Sequence, residues 1–273
     1  MDFRYFDAHT HPHFTAFDGD REDVIGRARE LGIGINLVGT QKDTSEHAVR
    51  LAEKHEHAYA SVGLHPIHTG KSYHDKKELG DDGTPKGFTS RGEKFGISNY
   101  EALARSPKVI AIGECGLDYY RCDESTKGVQ VEAFEGQIEL ANKIKKPLML
   151  HIRNAYKDAY DIVKAHAKVL GNVHFFAGTW EEAKLFLDLG YTLSFTGVIT
   201  FTHDYDEVVR NMPLDSILSE TDAPYVSPVP HRGKRNEPAN VVEVVKAIAR
   251  IRNISEEVVQ QSILENTKRL FAL

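Results

Sequence analysis

Residues 6–14 read FDAHTHPHF, which places His9, His11 and His13 within five residues, directly behind an apolar run. In an extended strand alternate side chains share a face, so His9 and His11 point one way and Thr10 the other. Pro12 has no amide hydrogen and ends the strand, leaving His13 in the loop that follows. Two imidazoles on one face can grip one metal ion. Two incidental surface histidines give the same letters, so this spacing does not decide the matter alone.

The arrangement recurs along the chain. Gly63-Leu64-His65-Pro66, Gly113-Glu114-Cys115-Gly116-Leu117-Asp118, Leu150-His151-Ile152-Arg153, Val173-His174-Phe175-Phe176 and Ser219-Glu220-Thr221-Asp222 each set ionisable residues at the exit of an apolar segment. Repetition at six exits points to one shared site. Imidazole and carboxylate suit zinc, manganese, magnesium or iron, and the absence of ligating cysteines disfavours a structural zinc site. His9, His11, His151, His174, Glu114 and Asp222 are too many for one tetrahedral ion. They suffice for two ions roughly 3.5–4 Å apart with a carboxylate between them. Glu114 is the expected bridge, with His9, His11 and Asp222 on one ion and His151 and His174 on the other. Asp222 can both ligate and take a proton from water.

Such convergence requires strands whose tips meet. Candidate strands are Arg4–His9, Gly34–Gly39, Ala58–Gly63, Val109–Gly113, Pro147–His151, Val173–Phe176, Tyr191–Phe195 and Ser216–Ser219. Helical periodicity lies between them: Phe134, Ile138, Ala141 and Ile144 share a face, and Ser255 caps a last helix opening with Glu256 and Glu257. Strand-then-helix units in this number predict an α/β fold, a single (β/α)8 TIM-type barrel over residues 1–273, with its site at the C-terminal ends of the strands. Residues 67–99, rich in Gly, Lys and Asp, form an insertion between strands 3 and 4, either a lid or a plain surface loop.

The 273 residues carry a net charge of −6, which argues against coating nucleic acid through bulk positive charge but leaves room for a local basic patch. No apolar run approaches membrane-spanning length, the N-terminal MDFRYFDAHT lacks a signal-peptide pattern, and Cys115 and Cys122 make no disulfide framework. A cytoplasmic protein is expected. Beyond Asp222, the segment SPVPHRGKRNEP clusters His231, Arg232, Lys234 and Arg235, of which Arg232 and Lys234 suit phosphate oxygens. Arg153 shares the face of His151 and can reach phosphate. His65 either contacts the scissile phosphate or supports a ligand. Arg121 fits a salt bridge better than a phosphate contact, and the insertion's Lys71, Lys76, Lys77, Lys86, Arg91 and Lys94 are diluted by acids. His47, His55, His57, His68, His74, His166 and His203 read as surface or helix-flank residues, Trp180 as a locally packed ring, and Cys115 as a small core residue.

The ordered set HTH, GLHP, GECGLDYYR, LHIR, HFFAG, SETDAPY, RGKRNEP and ENTKRLF resembles the TatD-related deoxyribonucleases, metal-dependent hydrolases of the amidohydrolase-like barrel class. The resemblance spans nearly the whole chain. Phe175 stands where that family usually has Cys or Ser, and the insertion after His65 is longer than expected. The resemblance implies divalent-metal hydrolysis of DNA phosphodiesters, from a 3′ end, with single-stranded DNA or 3′ ends as substrate and two ions (Mg, Mn or Zn) as cofactors. It implies no membrane and no obligate protein partner. A hydrolase of small amides, lactones or esters on the same barrel is the alternative. Many such relatives bridge their metals with a carboxylated lysine at strand four, where this chain has Glu114. A metal-binding scaffold without catalysis is the remaining reading.

Overall fold

The computed structural model describes residues 3–70, 73–74, 88–89, 92–120 and 124–273. Eight parallel strands form the central sheet: β1 (Tyr5–Thr10), β2 (Ile33–Val38), β3 (Ala58–Val62), β6 (Val109–Asp118), β7 (Leu148–Arg153), β8 (Gly171–Val173), β9 (Thr192–Phe195) and β10 (Ile217–Ser219), neighbours in that order. Two short antiparallel strands, β4 (Tyr73–His74) and β5 (Phe88–Thr89), pair with each other between β3 and β6. Helices on the outer face connect the strands: α1 (Arg21–Glu30), α2 (Lys42–Lys54), α3 (Ile97–Ala104), α4 (Glu124–Ile144), α5 (Tyr156–His166), α6 (Trp180–Leu187), α7 (Asp206–Asn211), α8 (Val241–Arg252) and α9 (Glu256–Phe271).

The order is that of a nearly closed α/β barrel. Each neighbouring pair in the eight-stranded order, from β1 with β2 to β9 with β10, is joined by a parallel ladder. Between β10 and β1 the join runs through side chains and the segments beyond the strands. Ser219 Oγ donates to the Phe6 carbonyl at 3.2 Å, Thr221 N–H to Asp7 Oδ1 at 2.9 Å, and Thr221 Oγ to Asp7 Oδ2 at 2.5 Å. Asp222 N–H then meets the His9 carbonyl at 2.9 Å, and His11 N–H the Ala223 carbonyl at 2.8 Å. This seam sets the two ends of the chain's strand series side by side, which is what brings His9 and His11 to Asp222.

Apolar packing follows the strand alternation. Ile33, Ile35 and Leu37 of β2 and Ala58, Ala60 and Val62 of β3 face helix residues such as Ala48, Ala52 and Ala104 in the large core. A smaller cluster takes Phe6, Ala8, Val38, Ile110, Met149 and Leu218 from five strands, with Phe271 of the last helix against them. Burial of each such side chain stabilises by about 1.5–3 kcal/mol. Ser255 caps α9, accepting from the Val258 N–H, with Glu256 and Glu257 in the first turn where a helix favours negative charge.

Most boundaries shift by a residue or two from those read in the sequence, and some differences bear on the site. Strand β6 runs on to Asp118 rather than ending at Gly113, because it stays against β7, pairing Cys115 to Asp118 with Leu150 to Arg153. Gly113 and Gly116 allow this. Both have positive φ (+149° and +136°), and a Cβ would lie 2.3 Å from the Met149 carbonyl oxygen or 2.1 Å from that of His151. Strand β8 covers only Gly171–Val173, so His174 sits just beyond it. The crossover helix α3 takes residues from Ile97 onward, which belong to the connection back to β6. Most of the insertion, with Lys71, Lys76, Lys77, Lys86 and Arg91, lies outside the described residues, and so do Arg121 and Cys122. A lid therefore lies outside them too. Lys94 pairs with Glu132 at 3.0 Å on the surface.

Candidate metal centre

Glu114, carried inward by the extended β6, is the hub. Its Oε1 lies 3.0 Å from His151 Nδ1, 3.0 Å from His174 Nε2 and 3.1 Å from His65 Nε2; its Oε2 lies 3.4 Å from His9 Nε2. On the β1 side, His9 Nε2 and His11 Nε2 are 3.1 Å apart, and Asp222 Oδ1 stands 3.3 Å from His11 and 3.8 Å from His9. On the far side, His151 Nδ1 and His174 Nε2 are 3.2 Å apart. The six expected ligands are thus brought together at one rim. Groups able to hold an ion form around His9, His11 and Glu114, around His9, His174 and Glu220, and around His65, Glu114 and His151. Asp222 adopts a left-handed backbone (φ 53°), a conformation Asp tolerates better than most residues.

The hydrogen bonds behind each imidazole fix which nitrogen is free. His11 Nδ1 faces the Val38 carbonyl at 2.7 Å; a carbonyl only accepts, so Nδ1 carries the proton and Nε2 presents a lone pair. His151 Nε2 meets Asp118 Oδ2 at 3.0 Å, and His174 Nδ1 meets Glu220 Oε1 at 3.2 Å, which leaves His151 Nδ1 and His174 Nε2 to face inward. His65 is the reverse: its Nδ1 accepts the Ile67 N–H at 3.1 Å, so Nε2 carries the proton and donates to Glu114. Neutral His65 is a donor into the site rather than a ligand.

This donor set fits divalent ions. Two nitrogens about 2.1 Å from one ion, at tetrahedral to octahedral angles, stand about 3.0–3.4 Å apart, and both nitrogen pairs do so. Two lone pairs that converge with no proton between them repel, and a cation removes the conflict. The electrostatics agree. Burial opposes charge on His174 and His151, but Glu114 with Glu220, and Asp118 with Glu114, outweigh it and raise both imidazoles above their ordinary range. Burial, reinforced by His174, drives His9 down to about 3, and burial lowers His65 as well. Glu114 is held well below the carboxylate range: burial opposes ionisation, and His65, His174 and His9 outweigh it. Asp118, likewise buried, is brought down to about 2 by His151.

Asp118 and Asp7 were given no role from the sequence, whereas Glu220, on the face of Asp222, was expected to stabilise a ligand or another strand end. Asp118 backs His151. Glu220, fully buried, backs His174 and also accepts the Phe175 N–H at 2.8 Å and the Ser194 hydroxyl at 2.5 Å. Asp7 fastens the seam, and burial keeps its carboxyl well above the usual range. Their sequence signal was present: Asp118 and Glu220 share faces with Glu114 and Asp222 by period-two spacing. His13 is buried rather than solvated, with neither ring nitrogen hydrogen-bonded among the described residues. His57 and His68, read as surface or helix-flank residues, are buried as well, His57 just after the end of α2.

The expected phosphate contacts lie on the same rim but outside the cluster. Arg153 stacks on Tyr120, its guanidinium carbon 3.6 Å from the ring centre. Arg232 stacks on Phe201 at 3.8 Å and donates to the Ser227 carbonyl at 2.8 Å. Lys234 is exposed, and its carbonyl receives the Ser227 hydroxyl. Arg235 is committed to structure, pairing with Asp20 at 2.5 Å and covering Phe17. Cys115 is wholly buried in the main core, and Trp180 packs partly buried against that core.

Comparison with known proteins agrees with this geometry. A family model described as "TatD related DNase" matches residues 6–272. The chain is 34% identical over 273 residues to the "Uncharacterized metal-dependent hydrolase YabD" of Bacillus subtilis (strain 168), covering 98% of this chain and 99% of that one. It is 31% identical over 270 residues to the "3'-5' ssDNA/RNA exonuclease TatD" of Pantoea ananatis (strain LMG 20103), covering 95% and 96%. The crystal structure of YjjV, a TatD homolog from Escherichia coli K12, superposes with a TM-score of 0.83 at 29% identity, covering both chains completely. No helix among the described residues is long and apolar enough to cross a membrane. The chain therefore belongs to the TatD-related DNase family of metal-dependent hydrolases.

Proposed function

We propose that this protein is a divalent-metal-dependent deoxyribonuclease that removes nucleotides from the 3′ end of single-stranded DNA, acting in the cytoplasm as one catalytic domain over residues 1–273. The observation that carries the reading is the convergence on Glu114 of imidazoles on both sides, His9 and His11 with Asp222 on one, His151 and His174 on the other. The relative from Pantoea ananatis, named a 3′–5′ ssDNA/RNA exonuclease, supports the choice of substrate.

Two ions drawn from Mg, Mn or Zn, when bound, neutralise phosphate oxygens and lower the pKa of a water towards ~7. His9, His11 and Asp222 would hold one and His151 and His174 the other, with Glu114 shared between them. Asp222, the least enclosed of the acids, takes the proton from the attacking water. His65 directs its Nε2–H into the site, where it steadies Glu114 or a phosphate oxygen. Arg153, Arg232 and Lys234 meet flanking phosphates. Asp118 and Glu220 hold two imidazoles in the tautomer that faces inward.

The test is incubation of chelator-stripped protein with single-stranded DNA and with a panel of small esters, amides and lactones, before and after adding Mg, Mn or Zn. Mononucleotide release only with metal is the expected result. Ester, lactone or amide turnover without DNA cleavage replaces this reading with the small-substrate one.

A further inference from the structure

We propose that Tyr120 and Phe201, each backed by an arginine, are stacking platforms for unpaired nucleobases of the substrate strand. The proposal rests on the nuclease reading above and deepens it. Among the described residues outside 71–91, the Tyr, Phe and Trp rings that are substantially exposed are Tyr120 at 49% and Phe201 at 43%. Single exposed apolar residues are ordinary on a protein surface. These two share three further features: both lie on the catalytic rim of the barrel, both follow strands next to ligand-bearing exits, and both carry a guanidinium over the ring, its carbon 3.6 Å and 3.8 Å from the ring centre.

The local bonds tie each ring to the metal cluster. Tyr120 N–H donates to Asp118 Oδ1 at 3.0 Å, while the other oxygen of that carboxylate holds His151. Tyr119 N–H donates to the Arg153 carbonyl at 2.8 Å, so the Tyr120–Arg153 pair is built across the β6 and β7 exits. On the other flank, Val229 N–H donates to Thr200 Oγ at 2.8 Å, directly before Phe201. Gly197 lies so close to the segment after Asp222 that a Cβ there would be 2.5 Å from the Val226 carbonyl oxygen. Tyr225 N–H returns to the Asp222 carbonyl at 2.9 Å. The Phe201–Arg232 pair is thus fastened across the β9 and β10 exits, with the β8 exit and His174 between the two platforms.

An arginine laid on a ring is held by the ring's negative face, and its in-plane N–H groups remain directed outward, where they suit phosphate. A ring for the base beside a cation for the backbone is the combination that sequence-tolerant single-strand sites use. Paired bases are already stacked within a duplex, so platforms of this kind favour unpaired ends.

The experiment uses the full, metal-loaded chain with two substrates of equal length: a single-stranded oligonucleotide, and one whose 3′-terminal nucleotides lack bases. Wild type is expected to show a lower KM on the base-bearing strand. Tyr120→Leu and Phe201→Leu each raise that KM roughly 5- to 100-fold and leave kcat, and KM on the abasic strand, near wild type. Tyr120→Trp and Phe201→Tyr restore the low KM, which a purely structural role does not require. Equal wild-type KM on both strands, or unchanged KM in both leucine variants, overturns the platforms while the nuclease reading stands. Absence of any metal-dependent cleavage of either strand by wild type overturns the nuclease reading and the platforms with it.

Discussion

Glu220 offers the sharpest test of how the site is held. Its buried carboxylate binds His174 Nδ1 at 3.2 Å, the Phe175 N–H at 2.8 Å and the Ser194 hydroxyl at 2.5 Å. Glu220→Gln keeps the size and one acceptor oxygen, so Phe175 keeps its partner, but His174 loses the negative charge behind it. A hydrogen bond to a charged group contributes about 1.5–3 kcal/mol and a neutral one about 0.5–1.5. The difference, about 1–1.5 kcal/mol, is close to tenfold in an equilibrium constant. It falls on the inward nitrogen, whose hold on a cation depends on that charge. Partners of metal-binding histidines typically matter by about 10- to 100-fold, so a tenfold weaker metal affinity is expected with little change in melting temperature. Glu220→Ala is different in kind. It strands three buried donors at about 1–3 kcal/mol each, so a loss of about 3 kcal/mol or more in stability is expected. Chelator competition measures the first effect and thermal melting the second. A glutamine variant that binds metal as tightly as wild type, or an alanine variant melting within about two degrees of it, refutes the argument that Glu220 orients His174.

Further outcomes follow from the same geometry. His9→Ala, Glu114→Ala and Asp222→Asn are each expected to abolish DNA cleavage while circular dichroism stays native; retained activity in metal-loaded Glu114→Ala removes the bridge. Arg232→Ala and Lys234→Ala should raise KM more than they lower kcat, as ground-state phosphate contacts do; an unchanged KM in both takes them out of substrate binding. His151 and His174 are held above the ordinary imidazole range in the ion-free protein, so a metal ion must displace protons to reach them. Metal affinity should therefore rise with pH and binding should release protons, measurable by calorimetry in buffers of different ionisation enthalpy; constant affinity between about pH 6 and 8 contradicts this. Gly116→Ala puts a Cβ 2.1 Å from the His151 carbonyl oxygen at a positive φ, and a loss of several kcal/mol, roughly 3 or more, should show in the melting curve; a wild-type melting temperature shows that β6 and β7 can part without cost.

The barrel was legible because its strands are short apolar runs and its helices keep their own period. Those local patterns survive whatever the neighbours are. Ligand residues were legible for a related reason: an ionisable side chain directly after an apolar strand has few structural uses, and six such exits reinforce one another. What was missed lay where a residue's importance depends on its partner. Asp118 reads as one more acid in a Gly-rich exit until β6 is seen to continue beside β7 and set its carboxylate against His151. Glu220 reads as a support for some ligand or strand end, and which one is decided only when the order β8, β9, β10 places it under His174 and Ser194.

The sequence by itself therefore determined which barrel strands form and which chemistry each exit offers, since periodicity and turn residues act over a few neighbours. Only the tertiary structure decided which nitrogen each imidazole turns inward and which carboxylate holds it there. For three of them those choices rest on bonds between residues 27 to 46 apart in sequence: His11 with Val38, His151 with Asp118 and His174 with Glu220. Apart from His65, whose Nδ1 accepts from Ile67 two residues on, each tautomer is set by a partner on another strand exit, and that partner is in place only once the strands have assembled.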